Sequence, residues 1–147
     1  MLRKDSTILI ADDDDLGTRL IQQVFSNAGL VQPLRFVSDG EEAIAYLRGD
    51  APYSDRTQFP LPTVMLLDLN MPRKNGFEVL AWIRQQPALK PIHVYVLSAS
   101  GQIEDIQRAY ELDAKSYLVK PGNLEGMMQQ AGTLMAWFNL SHFADPN

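Results

Sequence analysis

Asp12, Asp13, Asp68, Ser98 and Lys120 each stand at or just beyond the end of a short apolar run. Three carboxylates brought together would raise one another's pKa unless a hard cation joined them. Oxygen ligands with retained waters suit Mg²⁺. Such a cation would also screen Asp68, so that an electron-rich phosphoryl donor could approach. Lys120 offers a point charge to a phosphoryl oxygen, and Ser98 offers a hydroxyl. Asp68 could then act as a nucleophile and form an aspartyl-phosphate. That chemistry needs mainly positioning and charge stabilisation, which this set can supply. Alone, Asp68 is as readily a turn or helix cap; its company decides the reading. Asp14 and Asp15 read as solvated charges, one of them capping the next helix.

The elements that must position these groups follow from periodicity. Val64-Met65-Leu66-Leu67 suits a strand covered on both faces, with Asp68 at its C-terminal edge. In open α/β sheets that edge is where ligands sit. Four further strands are expected at 7–11, 34–37, 92–97 and 116–119. Between them lie helical patterns. Leu16, Leu20, Ile21, Val24, Phe25 and Ala28 form the apolar stripe of the first, closed by Gly29. Later helices are expected at 41–47, 76–86, 103–112 and 124–138, with Pro87 and Pro91 ending the third. Alternation of strand and helix implies a parallel sheet with helices on both faces. The four site-bearing strand ends then fall on one edge. Residues 1–6 are polar and expected to fray, and 48–62 reads as one long loop. That loop is as consistent with a tolerated surface insertion as with a partner-binding role.

The chain has 147 residues and suits one domain spanning 1–147, with a core at about 7–138 and an extension at 139–147. Without cysteine, disulfides and thiolate metal sites are excluded and a reducing compartment is the simpler expectation. No signal-like or membrane-spanning run is present, so a soluble cytoplasmic protein without membrane contact is expected. The formal net charge of −5 argues against nucleic-acid binding.

Asp12-Asp13 after a strand, Asp68 within Asp-Leu-Asn-Met-Pro-Arg-Lys-Asn-Gly, Ser98-Ala99 after a strand, and Lys120-Pro121 together resemble the receiver domain of two-component response regulators. The resemblance covers roughly residues 7–138. It implies a flavodoxin-like (βα)5 α/β fold, a three-layer sandwich with strand order 2-1-3-4-5. It implies that Asp68 takes a phosphoryl group from the phosphohistidine of a sensor histidine kinase. Asp13 and Asp68 would ligate Mg²⁺, Asn70 would add its backbone carbonyl, and Asp12 would act directly or through water. Lys120 would pair with Asp68 or its phosphate, Ser98 would turn towards the phosphoryl group, and Tyr117 would change rotamer. On packing grounds alone Tyr117 is a core residue. A cis bond before Pro121 would help aim Lys120. Such a protein catalyses only its own phosphorylation and dephosphorylation and is not an enzyme in the usual sense.

The 48–62 loop and the C-terminal extension resemble single-domain receivers associated with phytochromes. By that resemblance the kinase is a phytochrome, and the signal leaves through the receiver's own surface to a downstream protein or a second copy. A homodimer through the fourth helix, fifth strand, fifth helix and extension is the expected assembly. Trp137, Phe138, Leu140 and Phe143 either serve that contact or fold back onto the domain. The alternative function is a constitutive binding module that signals without phosphorylation; its expected mark, loss of Asp68 or Lys120, is absent. A haloacid-dehalogenase-like phosphatase would place a second Asp where Asn70 stands. His93 and His142 have no partner at ligand spacing.

Overall fold

A computed structural model of the chain describes residues 6–27, 29–30 and 32–143, without the side chains of 139–143. Ala28 and the side chains of Leu140, His142 and Phe143 therefore lie outside the described residues. Five strands alternate with five helices: β1 (Ile8–Ala11), α1 (Asp15–Asn27), β2 (Leu34–Val37), α2 (Gly40–Arg48), β3 (Val64–Asp68), α3 (Gly76–Arg84), β4 (His93–Ser98), α4 (Ile103–Glu111), β5 (Ser116–Val119) and α5 (Leu124–Phe143). A 3-10 turn at Pro87–Leu89 follows α3. All pairings are parallel and the order is β2-β1-β3-β4-β5. This is the expected flavodoxin-like receiver architecture.

Side chains alternate across a strand, so each central strand feeds two cores. Ile8, Ile10, Val64, Leu66, Tyr95 and Leu97 meet Phe25 of α1 and Ala131, Leu134 and Phe138 of α5. Leu9, Ala11, Met65, Leu67, Val94 and Val96 meet α2, α3 and Ala109 of α4. Helices α1 and α5 thus cover one face and α2 to α4 the other. The chain reverses its direction across the sheet between β1 and β3, and open sheets of this kind have a crevice at such a switch point.

Several expectations need correction. Leu16, placed on the buried stripe of α1, is 69% exposed, because the line of α1 that packs inward runs through Gly17, Ile21 and Phe25, and Leu16 lies about 100° round the helix from Gly17. Helix α5 continues past 138 to Phe143. Trp137 and Phe138 consequently lie within it: Phe138 is buried against Phe25 and Tyr95, and Trp137 packs on Tyr95. Ser6 is buried rather than frayed. The peptide bond before Pro121 is trans; among the described residues the cis bond is Ala51–Pro52.

The 48–62 loop is held down. Tyr53 and Phe59 pack around Tyr46 of α2. Arg56 donates to the carbonyls of Tyr46 and Leu47 in the last turn of α2 and to that of Phe59 in the loop. Gly49, at φ 79°, ends α2 in the left-handed conformation that suits glycine.

Candidate functional site

The parallel register sets which polar groups emerge together. Ala11 pairs with Leu67 at the end of β1 and β3, so Asp12 and Asp68 leave neighbouring strands at one level. Asp68 is opposite Leu97, the residue before Ser98. Ser98 is opposite Val119, the residue before Lys120. The Lys120 amide donates to the Ser98 carbonyl at 2.7 Å, extending the ladder by one bond.

One carboxylate oxygen from each of Asp12, Asp13 and Asp68 lies within 4.8 Å of the others. Asp12 and Asp68 are buried, whereas Asp13 faces solvent. The Lys120 ammonium donates to Asp12 Oδ2 at 2.8 Å and stands 3.5 Å from Asp68 Oδ2. Backbone amides take the remaining oxygens: Asp14 N–H donates to Asp12 Oδ1 at 2.9 Å, and Asn70 N–H to Asp68 Oδ1 at 3.2 Å. Gly76 makes the turn after β3 possible, since a Cβ there would sit 2.4 Å from the Asp68 carbonyl oxygen.

Burial pushes the Asp68 carboxyl up to about 6, and the Asp12 charge adds to this against the opposing pull of Lys120 and the Asn70 amide. For Lys120, burial disfavours the charge, yet the Asp12 hydrogen bond and the two carboxylates outweigh it and leave its pKa raised. The site thus holds three carboxylates against one ammonium. The donor set is all oxygen and partly open to water through Asp13, which fits a hard divalent cation of the Mg²⁺ type.

Ser98 is fully buried and its Oγ accepts from Ser100 N–H at 3.1 Å. Tyr117 is half-buried, and its hydroxyl donates to the Ser100 carbonyl at 2.7 Å. Ser100 Oγ in turn donates to Asp105 of α4 at 2.5 Å. The loop after β4 is therefore tied at once to the site, to α4 and to β5. Neither Ser100 nor Asp105 was evident from sequence, because neither closes a strand. Asp39 and Arg73, which form an ion pair between the loops after β2 and β3, were also missed. Asp39 had a legible signal: Asp39 followed by Glu42 three residues later reads as a helix start, and Asp39 does cap α2.

Of the residues singled out from sequence, Asp12, Asp13, Asp68 and Lys120 meet directly. Ser98 lies at the same edge by register, with Tyr117 joined to its loop. The Asn70 backbone N–H donates to Asp68. Met71, Phe77 and Leu80 are buried, as expected of core residues. Asp14 and Asp15 are exposed at the start of α1, where the Asp14 carbonyl accepts from Thr18 N–H.

Comparison with known proteins agrees with this geometry. Residues 8–131 match the family model described as the response regulator receiver domain. The chain belongs to that family. This receiver is 38% identical to the response regulator Rcp1 of Synechocystis over 122 residues, 83% of this chain and 81% of that protein. It superimposes on the crystal structure of the phosphorylated cyanobacterial phytochrome response regulator RcpA with a TM-score of 0.82 at 38% identity, covering 88% of this chain and 91% of the other. It superimposes on the Mn²⁺-bound form of Rcp1 with a TM-score of 0.85 at 35% identity, covering 90% and 94%. The receiver is a signalling domain of two-component systems and not a conventional enzyme.

Proposed function

We propose that the receiver accepts a phosphoryl group on Asp68 from the phosphohistidine of a sensor histidine kinase. The observation that carries this reading is the buried Asp68 carboxylate, bounded by Asp12, Asp13 and Lys120 within one cluster. A carboxylate oxygen of Asp68 forms the new P–O bond as the donor's P–N bond breaks, and the imidazole leaves. Asp13, Asp68, the Asn70 carbonyl and Asp12, directly or through water, would hold Mg²⁺, which supplies charge neutralisation for the incoming phosphoryl oxygens. Lys120 sits near enough to Asp68 to follow the charge onto a phosphoryl oxygen. The receiver would also catalyse the hydrolysis of its own aspartyl-phosphate.

The output is read through the loop after β4. A phosphoryl group at Asp68 adds charge and acceptor oxygens. Ser98 gives up its Ser100 contact to donate to one of them, Tyr117 changes rotamer, and the α4–β5 face shifts its population. Ile103, Tyr110, Val119, Leu124 and Met128 are large exposed apolar residues on α4, β5 and α5. They support a homodimer or a downstream protein contact on that face. The similarity to RcpA supports a phytochrome as the kinase. No described helix is long and apolar enough to cross a membrane, which is consistent with a cytoplasmic site of action. A constitutive adaptor is not favoured, because Asp68 and Lys120 are present and paired.

Intact mass after incubation with Mg²⁺ and acetyl phosphate, or with a phosphorylated histidine kinase, tests the proposal. One phosphoryl adduct is expected on the wild type and none on Asp68→Asn or with EDTA. Absence of an adduct from either donor would make the adaptor the better reading.

A further inference from the structure

The loop that leaves Asp68 is anchored at a second place, away from the carboxylate cluster. It carries Asn70 and closes where Gly76 N–H donates to the Leu69 carbonyl at 2.9 Å. Midway along it, Arg73 adopts φ 67°, a left-handed conformation that a residue with a Cβ takes at a cost. Its guanidinium donates to Asp39 Oδ2, while Asp39 Oδ1 caps α2 by accepting from Glu42 N–H at 2.7 Å. The Asp39 side chain is only 10% exposed, so its charge is committed to these two donors. The same two segments touch through their backbones: a Cβ on Gly40 would lie 1.9 Å from the Lys74 carbonyl oxygen.

Behind Asp39 the first turn of α2 is itself tied down. Glu42 accepts from Ser38 N–H at 3.1 Å and from the Tyr53 hydroxyl at 2.5 Å. Tyr53 belongs to the aromatic packing of the 48–62 loop. A contiguous line of contacts therefore runs from that loop through Glu42, Asp39 and Arg73 to the segment carrying Asn70.

Stability alone does not account for Arg73. Its side chain is 61% exposed, and ion pairs with an exposed partner contribute little to folding. Glycine would suit the backbone better. Asp39 caps α2 without help from the arginine. Unfavourable backbone held beside a reactive group points to positioning.

We propose that the Asp39–Arg73 pair is a positioning device for the cation site: by fixing the loop after β3 to the first turn of α2, it sets the affinity for the divalent cation. This rests on reading Asp12, Asp13, Asp68 and the Asn70 carbonyl as the cation ligands. Neither Asp39 nor Arg73 touches the cation; both act through the loop.

Titration calorimetry with Mg²⁺ on the full chain tests it, with thermal melting and the acetyl phosphate adduct alongside. Arg73→Gln and Asp39→Asn, which keeps the cap, should each weaken Mg²⁺ binding about three- to tenfold. The double variant should be no weaker than either single, since one pair is being removed. Arg73→Lys should recover part of the loss. Arg73→Gly, which is at ease in the left-handed backbone, should lose affinity as well. At saturating Mg²⁺ all variants should still form the adduct. Wild-type affinity in folded Arg73→Gln and Arg73→Gly would overturn the proposal, as would losses that add in the double variant. Failure of the wild type to bind Mg²⁺ would instead overturn the cation reading and take this proposal with it.

Discussion

The C-terminal edge of the sheet and the face made by α4, β5 and α5 are built on opposite plans. At the edge, charged groups are buried and already paired: Asp12 and Asp68 are nearly inaccessible and Lys120 is shared between them. On the face, large apolar groups stand in water, with Ile103 67%, Met128 50% and Val119 44% exposed. The edge is costly to assemble without its ligand, since burial keeps the Asp68 carboxyl at about 6. Within the face α4 is the part that rearranges at low cost, because it contributes Ala109 as its one fully buried residue among those described. The proposed signal is a transfer of charge at the edge into geometry on the face. The two meet at Ser100, bonded to Ser98, Asp105 and Tyr117.

Removing the positive member of the edge should give the largest effect on folding. Lys120→Met leaves Asp12 and Asp68 without their ammonium, and about 3–4 kcal/mol of stability should be lost at pH 8 in metal-free buffer. The loss should be smaller at pH 5, where Asp68 is protonated. Urea melts at the two pH values check this, and equal losses would mean that Lys120 acts through packing of its stem.

A slightly smaller effect of opposite sign is expected for Asp68→Asn. The folded-state value of about 6 lies above the ordinary 3.8. Ionisation is thus harder in the folded protein than in the unfolded one. The contribution of Asp68 to stability is fully present below 3.8 and is lost as pH rises through about 6. The amide does not titrate, so the variant should gain on wild type across that window and stay ahead above it, by roughly 1–3 kcal/mol. Mg²⁺ should shrink the gain, because it stabilises the wild-type carboxylate. A difference independent of both pH and Mg²⁺ would remove the electrostatic explanation.

The smallest change expected is at the junction. Tyr117→Phe deletes the hydroxyl that donates to the Ser100 carbonyl and should cost about 1 kcal/mol. Phosphorylation itself should proceed at nearly the wild-type rate. A large drop in rate would place Tyr117 in the edge and not between edge and face.

The contrast between edge and face also explains what the sequence made legible. Chain-local features were readable: the apolar runs of β1 and β3 and the acidic or basic residue closing each strand are all consecutive in sequence. In a parallel sheet these local features are enough to bring Asp12, Asp13, Asp68 and Lys120 together. Strand order came from the family resemblance. Long-range pairs were not readable, because Arg73 meets Asp39 across 34 positions and no local pattern marks that distance. Leu16 was misplaced because the line of α1 that packs inward passes through Gly17, which an apolar pattern does not mark. Trp137 and Phe138 were open between interface and core, and only the register of α5 against β4 decided that they pack on Tyr95.

The most direct test of the link between the two regions is amide NMR of the receiver with Mg²⁺, before and after phosphorylation by acetyl phosphate. The account predicts shifts beside Asp68 and also at residues 98–101, along α4 and around Tyr117, with the distal set reduced in Tyr117→Phe. Shifts confined to the immediate neighbours of Asp68 in a protein that carries the phosphoryl group would contradict it.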